Sequence, residues 1–354
     1  MEIEQKVAGF TPEGEAVVIY TLRNSKGCEV ELCNIGAGIA AVRVPDRNGK
    51  LDNVALSYQN PLDYIGDGPC MGKVPGRYAN RIAKGRFEID GKEYRLAINN
   101  GPNALHGGPT GFANQLWEGR VEENRVVFSL DSADGHEGYP GALYVEAVYD
   151  WDDEDRLELT LLAQTDSATI LNLTNHAYFN LAGEGSGSVL DHTLKLNASY
   201  YLPTDQSLVP TGELAPVEGT PMDFRTAKVI GRDIKEEFEA LIFGKGYDNC
   251  WPIDGWEKGK VQEAAVLHSE VSGRTLRVLT DQPAAQVYTG NWLDAAPSVA
   301  AVARTTTTTA WLSSARVIPT LPTRRTSPCS CSARASATSA TSSSSSAQNR
   351  GSNV

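Results

Sequence analysis

The residues best suited to chemistry in this chain are two histidines and the polar side chains set around them. In Leu171-Asn172-Leu173-Thr174-Asn175-His176-Ala177-Tyr178-Phe179-Asn180-Leu181 apolar and polar residues alternate. The pattern predicts a half-buried strand and its exit, with His176 at the strand end. Asn172, Asn175, Asn180 and Tyr178 crowd that histidine with more hydrogen-bonding groups than a core position supplies. Donors and acceptors beside an aromatic face are what a sugar requires; the competing reading is a structural histidine that satisfies nearby backbone groups. Three loops carry similar polar density. Gly76-Arg77-Tyr78-Ala79-Asn80-Arg81-Ile82 holds two arginines and an asparagine, and Asn99-Asn100-Gly101-Pro102-Asn103-Ala104-Leu105-His106-Gly107-Gly108 sets glycines around His106. Glycine there permits close backbone approach to a ligand. Gly246-Tyr247-Asp248-Asn249 places a carboxylate next to an aromatic ring. Each of these loops also reads as an ordinary surface turn.

The elements that must position these groups are short strands. Glu15 to Leu22, Cys28 to Leu32 and Ile39 to Val44 open the chain, and the Asn48-Gly49 pair marks a turn. Arg86 to Ile89, the turn pair Asp90-Gly91, and Lys92 to Leu96 form the clearest hairpin, with Phe87, Ile89, Tyr94 and Leu96 on one face. Alternation returns at Val126 to Leu130, Tyr144 to Trp151, Leu157 to Leu162, Thr193 to Leu196 and Thr275 to Leu279. Only Thr226 to Ile242 has helical spacing, with Ile230, Ile234 and Phe238 four apart. Many strands with Gly/Pro turns and almost no helix predict an all-β sandwich or barrel.

A chain of 354 residues, 41% of them hydrophobic, can bury a substantial core. The net charge of -12 argues against nucleic acid or an anionic membrane as partner. The charged N-terminus lacks a signal-peptide pattern, and no stretch reaches the roughly 18 apolar residues of a membrane span. A cytoplasmic location is expected. Cys28, Cys33, Cys70 and Cys250 lack C-x-x-C spacing and read as reduced thiols.

Together these segments resemble the aldose 1-epimerase (galactose mutarotase) family, whose members interconvert the α and β anomers of free hexoses. The resemblance runs from about Gly9 to Asp294 and includes the Asn80-Arg81-Ile82 turn, the loop ending in His106-Gly107-Gly108, and Asp134 to Gly141. It continues through Asn175 to Leu181, Gly246-Tyr247-Asp248 and Gln286 to Asn291. It implies a large antiparallel β-sandwich of the galactose mutarotase type over residues 1–294, with the sugar in a cleft across one sheet. Anomer exchange needs a base on the C1 hydroxyl and an acid on the ring oxygen, with roles reversed on the other face. A histidine suits the acid because it titrates near neutral pH. The family pattern assigns that part to His176, with His106 close by. It matches Asn80, Arg81, His106, Tyr178, Asp248 and Gln286 to positions that hold sugar hydroxyls, and it implies no metal or organic cofactor. A hexose is the implied partner, and a monomer or weak homodimer the expected assembly.

One component is missing. The family's general base is a glutamate in a late segment, and nothing of that kind follows Asp294. The last 60 residues (354 minus 294) contain no Asp, Glu or Lys. A threonine run at 305 to 309 and a serine run at 342 to 346 stand there instead. One reading is a disordered low-complexity tail. The other comes from the genetic code. Threonine codons begin AC, so each threonine of the run, read one base earlier, can decode only to Tyr, His, Asn or Asp. Ala310 to Ser314 then permit Gly-Val-Ala-Ile-Glu, and Ala333 to Ser336 permit Arg-Pro-Gly-Glu, both family-like strings. A net one-base loss near codons 294 to 303 would thus have replaced the native C-terminus, with the last strands of the sandwich and the base lost. Two further readings follow: a catalytically impaired hexose-binding protein, and a hexose-phosphate 1-epimerase, which would want an extra basic cluster near the cleft.

Overall fold

The computed structural model describes residues 1–293, 310–314 and 333–338. The threonine run at 305 to 309 and the serine run at 342 to 346 lie outside the described residues. All the strand ladders are antiparallel, and among the described residues the α-helix is confined to Glu239–Gly244. A five-stranded sheet runs in chain order through Glu2–Phe10, Ala16–Arg23, Glu29–Cys33, Gly38–Pro45 and Leu51–Asn53. A nine-stranded sheet is ordered Glu118–Glu122, Arg125–Ser132, Leu143–Trp151, Arg156–Thr165, Ala333–Thr338, Thr275–Thr280, Gln262–His268, Thr193–Leu196 and Lys228–Val229. The third sheet, Tyr178–Phe179, Ala310–Ser314, Ala284–Tyr288 and Asp248–Pro252, carries several site positions.

The sandwich follows from period-2 burial. In Leu143–Trp151 every second residue, from Leu143 to Trp151, is buried, as a sheet with one face on a core requires. Val145, Ala147, Tyr149 and Trp151 meet Tyr20, Leu22, Val30 and Leu32 of the five-stranded sheet in one continuous apolar cluster. The expected hairpin is present, with both turn residues in the left-handed region, Asp90 at φ +51° and Gly91 at φ +80°. Two positive φ values match the right-handed twist of the paired strands. Phe87 and Tyr94 stack across it at 5.3 Å.

Three expectations need correction. Thr226 to Ile242 is not one helix: Lys228–Val229 pairs as an edge strand, Ile230–Arg232 forms a single 3-10 turn, and only the end is α-helical. Ile230, Ile234 and Phe238 do pack on the core, but the Ile230 and Gly231 amides donate to the His192 and Leu190 carbonyls, and these tertiary bonds override helical periodicity. Leu171 to Leu181 is mostly buried rather than half-buried, and only Tyr178–Phe179 is strand. Finally, the last strands are not lost from the backbone. Ala310–Ser314 lies between Tyr178–Phe179 and Ala284–Tyr288, and Ala333–Thr338 between Arg156–Thr165 and Thr275–Thr280. Ladder bonds join main-chain groups, and neither segment contains the proline that would remove a donor.

Candidate active site

The floor of the site is the irregular segment around His176. Asparagine side chains replace its missing ladder bonds: Asn172 Nδ2 donates to the Ala79 carbonyl, Asn175 Nδ2 to the Gly72 carbonyl, and Asn180 Nδ2 to the Gly187 carbonyl. Such side-chain-to-backbone bonds compete with regular structure. They also correct a reading from sequence, because these amides bind the protein's own carbonyls and are absent from the cleft lining. His176 itself is pinned by its backbone. Its N–H donates to the Lys73 carbonyl at 2.8 Å, and its carbonyl accepts from the Gly72 N–H at 2.9 Å.

His106 reaches the same place from the loop after the hairpin. Its N–H donates to the Asn80 carbonyl at 3.2 Å, and its Nδ1 accepts the Asn80 N–H at 3.0 Å. An Nδ1 that accepts carries no proton, so in the neutral imidazole the hydrogen sits on Nε2. Asn80 and His106 both adopt left-handed φ, +68° and +53°, a strain that concentrates at functional sites. The glycines after His106 serve a different approach from the one expected: a Cβ on Gly107 would lie 1.8 Å from the Gly76 carbonyl oxygen. The close neighbour is backbone, and it sets where His106 can stand.

A cleft of about 610 Å³ is lined by Asn80, Arg81, His106, His176, Tyr178 and Asp248. The two imidazoles are in ring contact, and the Tyr178 ring lies 5.1 Å from that of His176. The Tyr178 hydroxyl donates to the Pro69 carbonyl, so its ring is what borders the cleft. Arg81 Nε donates to Asn100 Oδ1 at 2.9 Å. Gln286 stands one layer back: it is outside the lining, and its Nε2 donates to Asp248 Oδ1 at 2.8 Å. Arg77, Arg81's neighbour in sequence, is fully withdrawn. It is 1% exposed and donates to Ser132 and to the carbonyls of Ala133, Pro140 and Gly141. Asn100, Ser207, Leu208, Phe243, Tyr288 and Trp292 also border the cleft. Tyr288 lay inside a motif already singled out, whereas nothing in the sequence marked Ser207 or Leu208.

Burial sets the electrostatics. His176 is 4% exposed, and desolvation, aided by the positive charge of Lys73, pushes its pKa down to about 3. The near-neutral titration expected of it is therefore not retained, because a buried imidazole resists taking a charge. Desolvation also raises the Tyr178 phenol well above its ordinary value, so it stays protonated. Among the described residues of the lining, Asp248 is the only carboxylate and Arg81 the only lysine or arginine.

Two imidazoles in contact, one carboxylate, one guanidinium and amide groups line one cleft on a β-sandwich, a set of groups able to exchange protons and to hydrogen-bond hydroxyls. Comparison with known proteins agrees. The family model described as aldose 1-epimerase matches residues 18–313. The chain is 43% identical over 294 residues to the galactose mutarotase of Sus scrofa, covering 83% of this chain and 84% of that one. It is 38% identical over 290 residues to the aldose 1-epimerase of Escherichia coli K12, covering 82% and 83%. Among solved structures, a GalM/aldose epimerase homologue from C. elegans superposes with a TM-score of 0.81 at 28% identity, covering 92% of this chain and 99% of that one. The galactose 1-epimerase of Lactobacillus acidophilus superposes with a TM-score of 0.80 at 26% identity, covering 96% and 99%. The chain belongs to the aldose 1-epimerase family, a family of isomerases, and its fold is the galactose mutarotase sandwich.

Proposed function

We propose that the intended product of this gene equilibrates the α and β anomers of free galactose and glucose. The observation that carries the reading is the meeting of His106 and His176 in one cleft that Asp248 and Arg81 also line. A base takes the proton from the C1 hydroxyl, the C1–O pair forms the aldehyde as the ring C–O bond breaks, and His176 delivers a proton to the ring oxygen. Rotation about the C1–C2 bond and reversal of these steps give the other anomer. His106, through Nε2–H, bears on the ring oxygen or a neighbouring hydroxyl. Asp248, oriented by Gln286, and Arg81, oriented by Asn100, hold further hydroxyls by charge-assisted bonds.

The base is the weak point of the chain as it stands. An imidazolium at His176 is costly in its buried site, and a carboxylate at the base position would favour it by Coulomb attraction. We assign residues 295–354 to a shifted reading frame, in which the glutamate codon spans Ser313 and Ser314. Polarimetry of freshly dissolved α-D-glucose and α-D-galactose tests this with two proteins, the present chain and one restored to the other frame after Asp294. Faster decay of rotation with the restored protein alone supports both readings. Equal rates would place the base elsewhere and overturn the account of the tail. A chain that binds hexose without speeding its anomerisation would be the impaired sugar-binding protein. A phosphorylated hexose is disfavoured, because Arg81 stands without a second lysine or arginine among the described lining residues.

A further inference from the structure

Lys73, whose carbonyl accepts the His176 N–H, belongs to an ion pair that the acid/base account does not use. Lys73 and Asp67 have wholly buried side chains, and Lys73 Nζ contacts Asp67 Oδ1. The ammonium also reaches the Tyr64 carbonyl at 2.5 Å and Asn114 Oδ1 at 3.4 Å. The second Asp67 oxygen accepts the Tyr58 hydroxyl at 3.0 Å and the Met71 N–H at 2.8 Å. The lysine stem passes two glycines that leave room for it: a Cβ on Gly36 would lie 2.7 Å from Lys73 Cδ, and one on Gly38 3.3 Å from Cγ.

The pair ties together the two ends of residues 67–73, and three parts of that short loop touch the site. The Lys73 carbonyl and Gly72 N–H hold the backbone of His176. The Pro69 carbonyl takes the Tyr178 hydroxyl. Gly68 and Pro69 border the cleft. We infer that the buried Lys73–Asp67 pair is a positioning device for the reaction, closing residues 67–73 into a ring that sets the height and tilt of the His176 imidazole and the Tyr178 ring. The inference rests on the reading of His176 as a reacting residue. It assigns Lys73 and Asp67 no contact with substrate. A flexible loop could make the same three bonds only intermittently, whereas a buried ion pair whose ammonium also bonds the Tyr64 carbonyl and whose carboxylate also accepts from Tyr58 and Met71 holds one arrangement.

The test uses the full chain, selectively labelled with ¹³C at its five histidines, in wild type, in Lys73→Met/Asp67→Asn and in Asp67→Asn. The double variant keeps stem length and removes both charges, so no buried charge is orphaned. Asp67→Asn keeps the bonds to Tyr58 and Met71 and leaves the Lys73 ammonium on the Tyr64 carbonyl and Asn114, so it separates loss of the pair from loss of the lysine charge. The control is Lys228→Met/Asp233→Asn, which removes another buried ion pair whose residues lie outside the cleft lining. Two readouts are taken: the His176 titration and galactose binding followed by the His176 signal. The ionisable groups around that imidazole are Lys73, whose charge acts on it, His106 and Tyr178 in ring contact, and Arg81, Asp248 and Tyr288 in the same cleft lining. If the ring positions His176, loosening it admits water. Loss of the Lys73 charge would by itself raise the midpoint in the double variant, so the deciding results are a rise of at least one pH unit in Asp67→Asn, where the lysine remains, and galactose binding at least tenfold weaker in both Asp67 variants. The control variant loses thermal stability with neither change. Lowered stability with unchanged affinity in both Asp67 variants and no rise of the midpoint in Asp67→Asn would reduce the pair to a structural role and overturn the inference. Galactose that leaves the wild-type His176 signal unmoved would instead overturn the functional reading, and the titration would still judge the pair.

Discussion

The imidazoles of His106 and His176 meet edge to face, with ring centroids 5.2 Å apart and planes at 87°. Two imidazoles so placed cannot both carry charge cheaply, and they present one wall to the same ligand atom or to adjacent ones. In the frame-restored protein, His176→Asn is expected to lower kcat by about 10² to 10⁴. His106→Asn should cost less in kcat and more in KM. Initial rates by polarimetry over a range of galactose concentration separate the two, and a His176→Asn protein with unchanged kcat would remove the histidine from the chemistry.

Stability should fall with acid in a window set by buried imidazoles. His176 is held near a pKa of about 3 by burial, against about 6.5 in an unfolded chain. Between those values the unfolded chain takes up a proton that the folded one refuses. The stability is therefore complete above about pH 6.5 and is lost as pH falls, by about 1.4 kcal/mol per pH unit for this group. His192, buried and shifted down chiefly by desolvation, adds a loss of the same sign. Urea titrations at pH 7, 5.5 and 4.5 should show the slope, and His176→Gln should reduce it by about one proton.

Asp248 and Gln286 form one unit, the amide donating to the carboxylate at 2.8 Å. Asp248→Asn keeps the shape and removes the charge, so the bond to a sugar hydroxyl loses its charge assistance. A bond to a charged group is worth about 1.5–3 kcal/mol against about 0.5–1.5 for a neutral one, a difference of about 1–1.5 kcal/mol, or roughly 5- to 10-fold in KM at constant fold. Gln286→Leu should weaken binding less, by loosening the carboxylate rather than removing it. Comparable losses in the two variants would mean that Gln286 touches the sugar itself.

Gly107 is required by geometry rather than by flexibility. It sits at φ +86°, and an added Cβ would fall 1.8 Å from the Gly76 oxygen. Gly107→Ala is expected to cost roughly 2–4 kcal/mol from overpacking and backbone strain together, and to displace His106. Gly27→Ala, at φ +81° with nothing within 4 Å of the new Cβ, carries the strain alone and should cost about 1–2 kcal/mol. Denaturant midpoints of the two variants give the comparison.

What the sequence by itself determined is local. The Asp90-Gly91 hairpin, the alternation of Leu143 to Trp151 and the polar density of the loops around Asn80, His106 and Asp248 all depend on neighbours a few residues apart. Side-chain periodicity and turn preference are legible at that range. The absence of acidic residues after Asp294 is a fact of the sequence alone, and the genetic-code reading of it needs no coordinates. Only the tertiary structure decided which polar groups face the cleft. The asparagines around His176 turned to the backbone, Arg77 went inward while Arg81 stayed at the cleft, Gln286 bonded Asp248 from outside the lining, and Lys73 came to bond the His176 backbone across 103 residues of chain (176 minus 73). The same reason underlies each case. Where a polar side chain points is settled by which unsatisfied carbonyl, carboxylate or N–H the fold brings within about 3 Å of it, and that partner comes from distant chain whose approach no local pattern encodes.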